Sequence, residues 1–320
     1  MDLLTANLMT VNLLTVNLWP LLVSTFIMVL CMFYLWEMAK SYQKRRSLDL
    51  EGVEAFVGSS ASTLADDACY DDFYAKVYDP LVQPGARAIP EVDTPLDWMK
   101  SAGKPVGDIR VGDIGCGTGL HVELFARKGV RSVVGFDKSK SMIARAKKSY
   151  PEREFVVGDA TVATMASADQ FDLMTAYYFT IYLVPDRTTM LKNIYLWLSA
   201  GGIFCCHIVN KLKFDPILES ASPFLGFSLQ KYADERVTKS QVTFKEFEYT
   251  GDFQLHGSRG MYEEEFLFAD GRKRRHEQRV WMPNIEPLVK EITDVGFKLL
   301  HHVDLTAIGY EYQFLFLFGK

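Results

Sequence analysis

The chain has 320 residues, of which 48% are hydrophobic and 23% charged, and its formal net charge is −5. That length suits one large α/β domain with an extension, or two small domains, with enough apolar residues for a core. The acidic balance argues against a general nucleic-acid binder, which carries a basic surplus. The cysteines Cys31, Cys69, Cys116, Cys205 and Cys206 form no CxxC pair and no zinc-type spacing, so they read as free thiols in a reducing compartment, and no metal is expected.

Residues 1–17 form an N-terminal extension. Its Thr-x-Asn-Leu repeat has a period of five, which matches neither helix nor strand. Residues 18–36, LWPLLVSTFIMVLCMFYLW, contain no charge. As a helix rising about 1.5 Å per residue, this stretch spans roughly the 30 Å of a bilayer core. Trp19 lies at one end and Tyr34 and Trp36 at the other, as interfacial aromatics do. The reading is a single-pass transmembrane helix. Lys40, Lys44, Arg45 and Arg46 follow it, so the positive-inside rule keeps the C-terminal bulk on the cytosolic side. Residues 37–69 turn from basic to Ser/Ala-rich and read as a tether. The globular domain is placed at 70–320.

Ile109–Ile114 reads as a buried strand, Gly115-Cys116-Gly117-Thr118-Gly119 as a turn, and Leu120–Lys128 as an amphipathic helix stopped at Gly129. Such a turn allows a ligand close to the backbone and to free amides. Further strands follow at Ser132–Phe136 (ending in Asp137), Glu154–Gly158 (ending in Asp159-Ala160), Phe171–Tyr178 and Ile203–Val209. A helix lies over Ser139–Tyr150. The glycine spacing is D-x-G-x-G-x-G from Asp113, unlike the G-x-G-x-x-G of dinucleotide enzymes.

This array resembles a type-11-like class I S-adenosylmethionine methyltransferase over residues 70–320. The resemblance implies a Rossmann-like, doubly wound α/β fold with a seven-stranded, mostly parallel sheet. It implies S-adenosylmethionine as cofactor. Gly115, Gly117 and Gly119, with Cys116 between them, would meet the methionine end. Asp113 would support the turn and the methionine amino group, and Asp137 the ribose. Met142, Asp159 and Ala160 would border the adenine. The lead-in from Tyr70 to Asp79 resembles the lid of small-molecule methyltransferases, which makes Tyr74 and Tyr78 candidate catalytic residues. Tyr177, at the end of the fourth strand, is the third, expected to face the methyl group.

Between the fifth strand and the end, an insertion over about 211–282 carries strand-like runs at Val242–Gln254, Gly260–Phe268 and Arg274–Met282, with a hairpin signal at Ala269–Arg272. This reads as an antiparallel β cap, and comparable caps in the family the chain resembles enclose small acceptors. His207, Tyr249, Glu263, His276 and Glu277 are candidate bases, although methyl transfer from a sulfonium depends mainly on positioning and exclusion of water. The basic tip Arg272-Lys273-Arg274-Arg275 is a candidate contact for anionic lipid. A helix over Asn284–Val295 and strands at Phe297–Val303 and Tyr310–Phe318 complete the chain. The expected function is a membrane-tethered methyltransferase acting on N or O of a small-molecule or lipid-like acceptor, with no nucleic-acid partner. The alternatives are a protein or RNA methyltransferase and a catalytically silent membrane scaffold.

Overall fold

The computed structural model describes residues 19–45, 62–82, 85–221, 230 and 233–320. The chain divides into two units, Met1–Ser47 and Leu48–Lys320. In the first, the uncharged run is helical, and the helix (α1, Trp19–Arg45) continues past it. Its side chains Leu22, Phe26, Met28, Phe33 and Trp36 are all exposed. Among the described residues no helix is long and apolar enough to cross a membrane, so the expected spanning helix is not found there. The Thr-x-Asn-Leu repeat, Arg46 and the tether up to residue 61 lie outside the described residues, as do the side chains of Lys40, Lys44 and Arg45.

The second unit is built on a seven-stranded sheet. Its strands are β2 (Arg110–Ile114), β3 (Ser132–Asp137), β4 (Glu154–Val157), β5 (Phe171–Ala176), β6 (Leu198–Val209), β11 (Lys298–Asp304) and β12 (Gln313–Gly319). Their order is β11-β12-β6-β5-β2-β3-β4, with β4 through β6 parallel and β12 antiparallel to both of its neighbours. This is the expected mostly parallel, doubly wound sheet. All six residues of β5 are buried, because a central parallel strand is covered on both faces.

Two apolar cores show the two layers. One packs Met174, Phe204, Cys206 and Phe318 against Met190, Leu191 and Trp197 of α7 (Arg187–Trp197) and Leu288 and Ile292 of α8 (Ile285–Asp294). The other packs Val111, Leu173 and Cys205 against Val92, Leu96 and Met99 of α3 (Gly85–Ser101), Val122 and Phe125 of α4 (Leu120–Arg127), and Ile143 and Ala146 of α5 (Lys140–Ser149). Adjacent Cys205 and Cys206 thus enter opposite cores, as strand alternation requires. At the N-terminal ends of β2 and β5, Asp172 holds both Nε and the terminal amino group of Arg110, at 2.9 and 3.0 Å. Lys104 lies 2.6 Å from the same carboxylate.

The cap is a second sheet, ordered β1-β10-β9-β8-β7. Its strands are β1 (Ser62–Ala65), β7 (Lys239–Thr243), β8 (Phe247–His256), β9 (Arg259–Phe268) and β10 (Lys273–Trp281). Two details differ from the sequence reading. The run Val242–Gln254 breaks at Phe244, whose amide donates to the carbonyl of Phe247 at 2.9 Å, so it contributes to two strands rather than one. Strand pairing also begins ahead of Tyr70, because β1 lies parallel to β10 with Ser62 opposite Arg274. The inner face of the cap, with Phe247, Tyr249 and Phe266, packs on Phe73, Tyr74, Val77 and Leu81 of α2 (Asp72–Val82).

The basic hairpin tip is largely paired within the fold. Arg272 pairs with Asp270, Lys273 and Arg275 pair with Glu265, and Arg274 is buried against Asp71. Four cations here face three carboxylates, and Lys273 and Arg275 share Glu265.

Candidate active site

One cavity of about 730 Å³ lies at the C-terminal ends of β2, β3, β4 and β5, beneath α2 and the cap. All the sequence-predicted cofactor and catalytic-tyrosine residues except Gly119 line it: Tyr74, Tyr78, Asp113, Gly115, Cys116, Gly117, Asp137, Met142, Asp159, Ala160 and Tyr177; none of the five candidate bases does. Gly119 supports it from behind, at φ +92°, where a Cβ would meet Phe155 at 2.7 Å. Gly115 is at φ +67°, and a Cβ there would strike Thr180 Oγ1 at 2.5 Å.

The glycine turn is shaped by β3. The amides of Gly115 and Cys116 donate to the carbonyl of Phe136 at 2.8 and 3.0 Å, and that of Gly117 to Asp137 Oδ2 at 3.0 Å. The expected free amides at these positions are therefore already engaged. What the turn supplies is close approach.

Asp113 does not hold the turn either. Its Oδ1 accepts from Thr175 Oγ1 of β5 at 2.6 Å, and its Oδ2 is buried with no hydrogen-bond partner. Burial pushes its pKa up to about 6, against the pull of His121 and the Thr175 hydrogen bond. An orphaned acidic oxygen of this kind calls for a cation.

Asp137 ends β3. It accepts from the Ser139 amide at 2.8 Å on Oδ1 and from Gly117 on Oδ2, and burial raises its pKa against those two bonds. Both oxygens keep acceptor capacity for hydroxyl donors. Asp159 ends β4. Burial would raise its pKa, but the Thr161 amide and hydroxyl, at 2.9 and 2.7 Å, and Lys138 outweigh burial and hold it low. Met142 and Ala160 are the buried apolar groups between these acids. Ser139 caps α5 by accepting from the Met142 amide at 3.1 Å, which fixes Met142 in the first turn of the helix. Burial drives the Cys116 thiol well above its ordinary pKa, so it stays neutral.

The other wall is aromatic. Tyr74 stands edge-on to Tyr70 and Tyr78, with centroids at 5.5 and 5.9 Å. Tyr177 lines the cavity, but its hydroxyl donates to the Glu91 carbonyl at 2.6 Å and its ring lies 4.7 Å from His121. Its oxygen is therefore committed to α3 rather than aimed at a ligand. The next residue, Tyr178, has φ +52°, a costly conformation for a non-glycine side chain. Its ring lies beneath the Arg87 guanidinium, 4.2 Å from the centroid. Arg87 itself pairs with Glu91 at 3.2 Å. Burial would raise Glu91, yet Arg87 and His121 outweigh it and hold its pKa at about 2.

Of the candidate bases, Glu263 and Glu277 face outward, because the two-residue strand repeat turns Tyr262, Glu264, His276 and Gln278 inward. His207 is fully buried beside Glu91, outside the cavity lining, and burial lowers its pKa to about 4. The sequence reading did not single out Arg87, Tyr178, Tyr262 or Glu264. The two prolines inside α3, Pro90 and Pro95, obscured the helix that carries Arg87. Strand register was the available signal for Glu264.

Residues 112–206 match the family model described as a methyltransferase domain. An S-adenosylmethionine-dependent methyltransferase of Clostridium acetobutylicum superposes with a TM-score of 0.59 at 18% identity, over 78% of this chain and 98% of that one. Residues 112–206 are thus similar to methyltransferase domains, and the sheet that contains them has the fold of these enzymes. An S-adenosylmethionine-bound amino pentose methyltransferase of Micromonospora echinaspora shares the methyltransferase fold, with a TM-score of 0.54 at 19% identity, over 76% of this chain and 96% of that one. Among curated relatives, a trans-aconitate 2-methyltransferase of Variovorax paradoxus (strain S110) is 34% identical over 95 residues, which is 29% of this chain and 36% of that enzyme. The match to that relative thus spans little more than a third of its length.

Proposed function

We propose that the protein transfers the methyl group of S-adenosylmethionine to a small or lipid-like acceptor held between the methyltransferase domain and its β cap. The observation that carries this is the row of Asp113, Asp137 and Asp159 at the ends of β2, β3 and β4 along one cavity, with an orphaned oxygen on the first. The residues fit the cofactor. Asp113 would hold the methionine ammonium, Arg87 the methionine carboxylate, Asp137 the ribose hydroxyls, and Asp159 with Met142 and Ala160 the adenine. When bound, the cofactor supplies an electrophilic methyl on a sulfonium. The chain's part is to orient the acceptor, exclude water and accept a proton. Tyr74 and Tyr78 of the lid stand where aromatic faces would adjoin the sulfonium. Tyr177, with its hydroxyl on α3, serves as a wall.

The volume and the cap favour a small acceptor over a folded macromolecule, since about 300–1,000 Å³ is the range of small-molecule sites. The acceptor named for the Variovorax relative is not carried over, because the match spans only 36% of that enzyme.

The exposed apolar side chains of α1 support attachment to a membrane surface.

Calorimetric titration of the full chain with S-adenosylmethionine and, separately, NADH tests the reading. Micromolar binding of the first alone is expected. Binding of NADH alone, or of neither, overturns it.

A further inference from the structure

Behind the acceptor side of the cavity, a hydrogen-bonded chain of tyrosines ends on a buried carboxylate. Glu264 is 2% exposed. Its Oε1 accepts from Tyr249 at 2.8 Å and from Tyr74 at 3.0 Å. Its Oε2 accepts from Gln278 Nε2 at 3.1 Å and lies 3.2 Å from His276 Nδ1. Arg274 Nε donates to His276 Nε2 at 2.8 Å, so the imidazole proton sits on Nδ1 and points at Glu264. A phenol has one proton. Tyr249 gives its own to Glu264 and therefore accepts from Tyr262, whose hydroxyl is 3.0 Å away. Tyr262 lines the cavity, whereas Tyr249 and Glu264 do not. A ligand at Tyr262 is thus two phenols away from a buried negative charge.

The rest of the acceptor side has the same bias. The cations lining the cavity are paired: Lys138 with Asp67, Arg279 with Asp66, and Arg87 with Glu91. Asp186 lies at the same wall without a cationic neighbour among the described ion pairs. An anionic acceptor would meet carboxylates. An ammonium would meet the Tyr262 hydroxyl and the ring of Trp281, since aromatic rings attract cations. Leu183, Val184 and Val280 offer contact to an apolar body.

Resting on the methyltransferase reading above, we propose that the acceptor is a primary or secondary amine with an apolar body, and that Tyr262, Tyr249 and Glu264 take its proton. The ammonium gives one proton to the Tyr262 oxygen, Tyr262 passes its own to Tyr249, and Tyr249 passes its own to Glu264 Oε1. The freed nitrogen lone pair forms the new N–C bond while the C–S bond breaks, and that electron pair stays on sulfur as the thioether. The product leaves as a methylated ammonium, and Glu264 returns its proton to solvent when the site empties.

The test uses the full chain in non-ionic detergent. Titration with S-adenosylmethionine comes first; if it does not bind, the methyltransferase reading itself fails. The chain saturated with S-adenosylhomocysteine is then titrated with 2-phenylethylamine, 2-phenylethanol and 3-phenylpropanoate. The amine is expected to bind at least tenfold more tightly than either comparator, with the preference falling below about threefold in Glu264→Gln. Tyr262→Phe and Tyr249→Phe keep their rings. Each is expected to slow single-turnover transfer to the amine tenfold or more, with less than a threefold change in amine affinity and an unchanged melting curve. If S-adenosylmethionine binds but the amine is not preferred, or is bound and not methylated, or is methylated at the wild-type rate by Tyr262→Phe, the acceptor inference is overturned and the cofactor reading stands.

Discussion

The carboxylate of Asp113 has one oxygen bonded to Thr175 and the other bonded to nothing. Its folded pKa of about 6 lies above the ordinary aspartate range, with burial as the main cause. Between about pH 4 and 6 the folded chain therefore holds a proton that the unfolded chain has lost. The contribution of this group to stability is full below pH 4 and is lost as pH rises through 6. Cofactor binding runs the other way, because an ammonium needs the ionised form. In the free protein, wild-type stability relative to Asp113→Asn should fall across pH 4–6. S-adenosylmethionine affinity should rise across pH 5–7 in wild type and stay flat in the variant, weaker at pH 7 by about 1.5–3 kcal/mol, the size of a charge-assisted hydrogen bond. Thermal melts and calorimetry at matched pH values check both signs. The residue was legible in the sequence because the D-x-G-x-G-x-G spacing from Asp113 resembles that of class I methyltransferases. Its bond to Thr175 was not, since that contact crosses from β2 to β5, 62 residues apart.

Elements whose residues are close in sequence were read well, and those completed from afar were not. The β2–turn–α4 unit is local: each glycine sits where the strand must reverse into the helix. Gly119 shows why the pattern is strict. Its φ of +92° and the 2.7 Å separation that a Cβ would have from Phe155 mean that Gly119→Ala adds backbone strain and overpacking together. The expected cost is about 2–4 kcal/mol of unfolding free energy, read as a lower midpoint in urea with an unchanged slope. An unchanged midpoint would mean that the turn relaxes freely. In the cap, the alternation of β9 and β10 was visible, but which parity faces inward was not. The pairing of Glu264 with His276 fixes it, through a register that depends on the Gly271 hairpin.

At the scale of the whole molecule, the globular domain begins ahead of Tyr70, where the sequence reading set its boundary. β1 pairs with β10 from Ser62 to Ala65, and Asp66 accepts from the Arg279 amide at 3.0 Å and from its guanidinium. Without residues 62–69 the long strand β10 becomes an open edge, a template for pairing with other chains. A chain starting at Tyr70 should therefore melt roughly 5–10 °C below one starting at Leu48, on the scale of about 2–4 °C per kcal/mol for a domain of this size. It should also show a concentration-dependent aggregate in light scattering, and equal melting of the two chains would make β1 an ornament. The first unit makes the complementary prediction. α1 exposes Leu22, Phe26, Phe33 and Trp36 together, so the full chain should float with lipid vesicles while the chain starting at Leu48 stays in the dense fraction. Because this attachment is by apolar burial rather than by the hairpin-tip cations, which pair with Asp270, Glu265 and Asp71, flotation should persist at high salt and on uncharged phosphatidylcholine. Loss of binding on neutral vesicles would shift the attachment from apolar burial by α1 to surface charge.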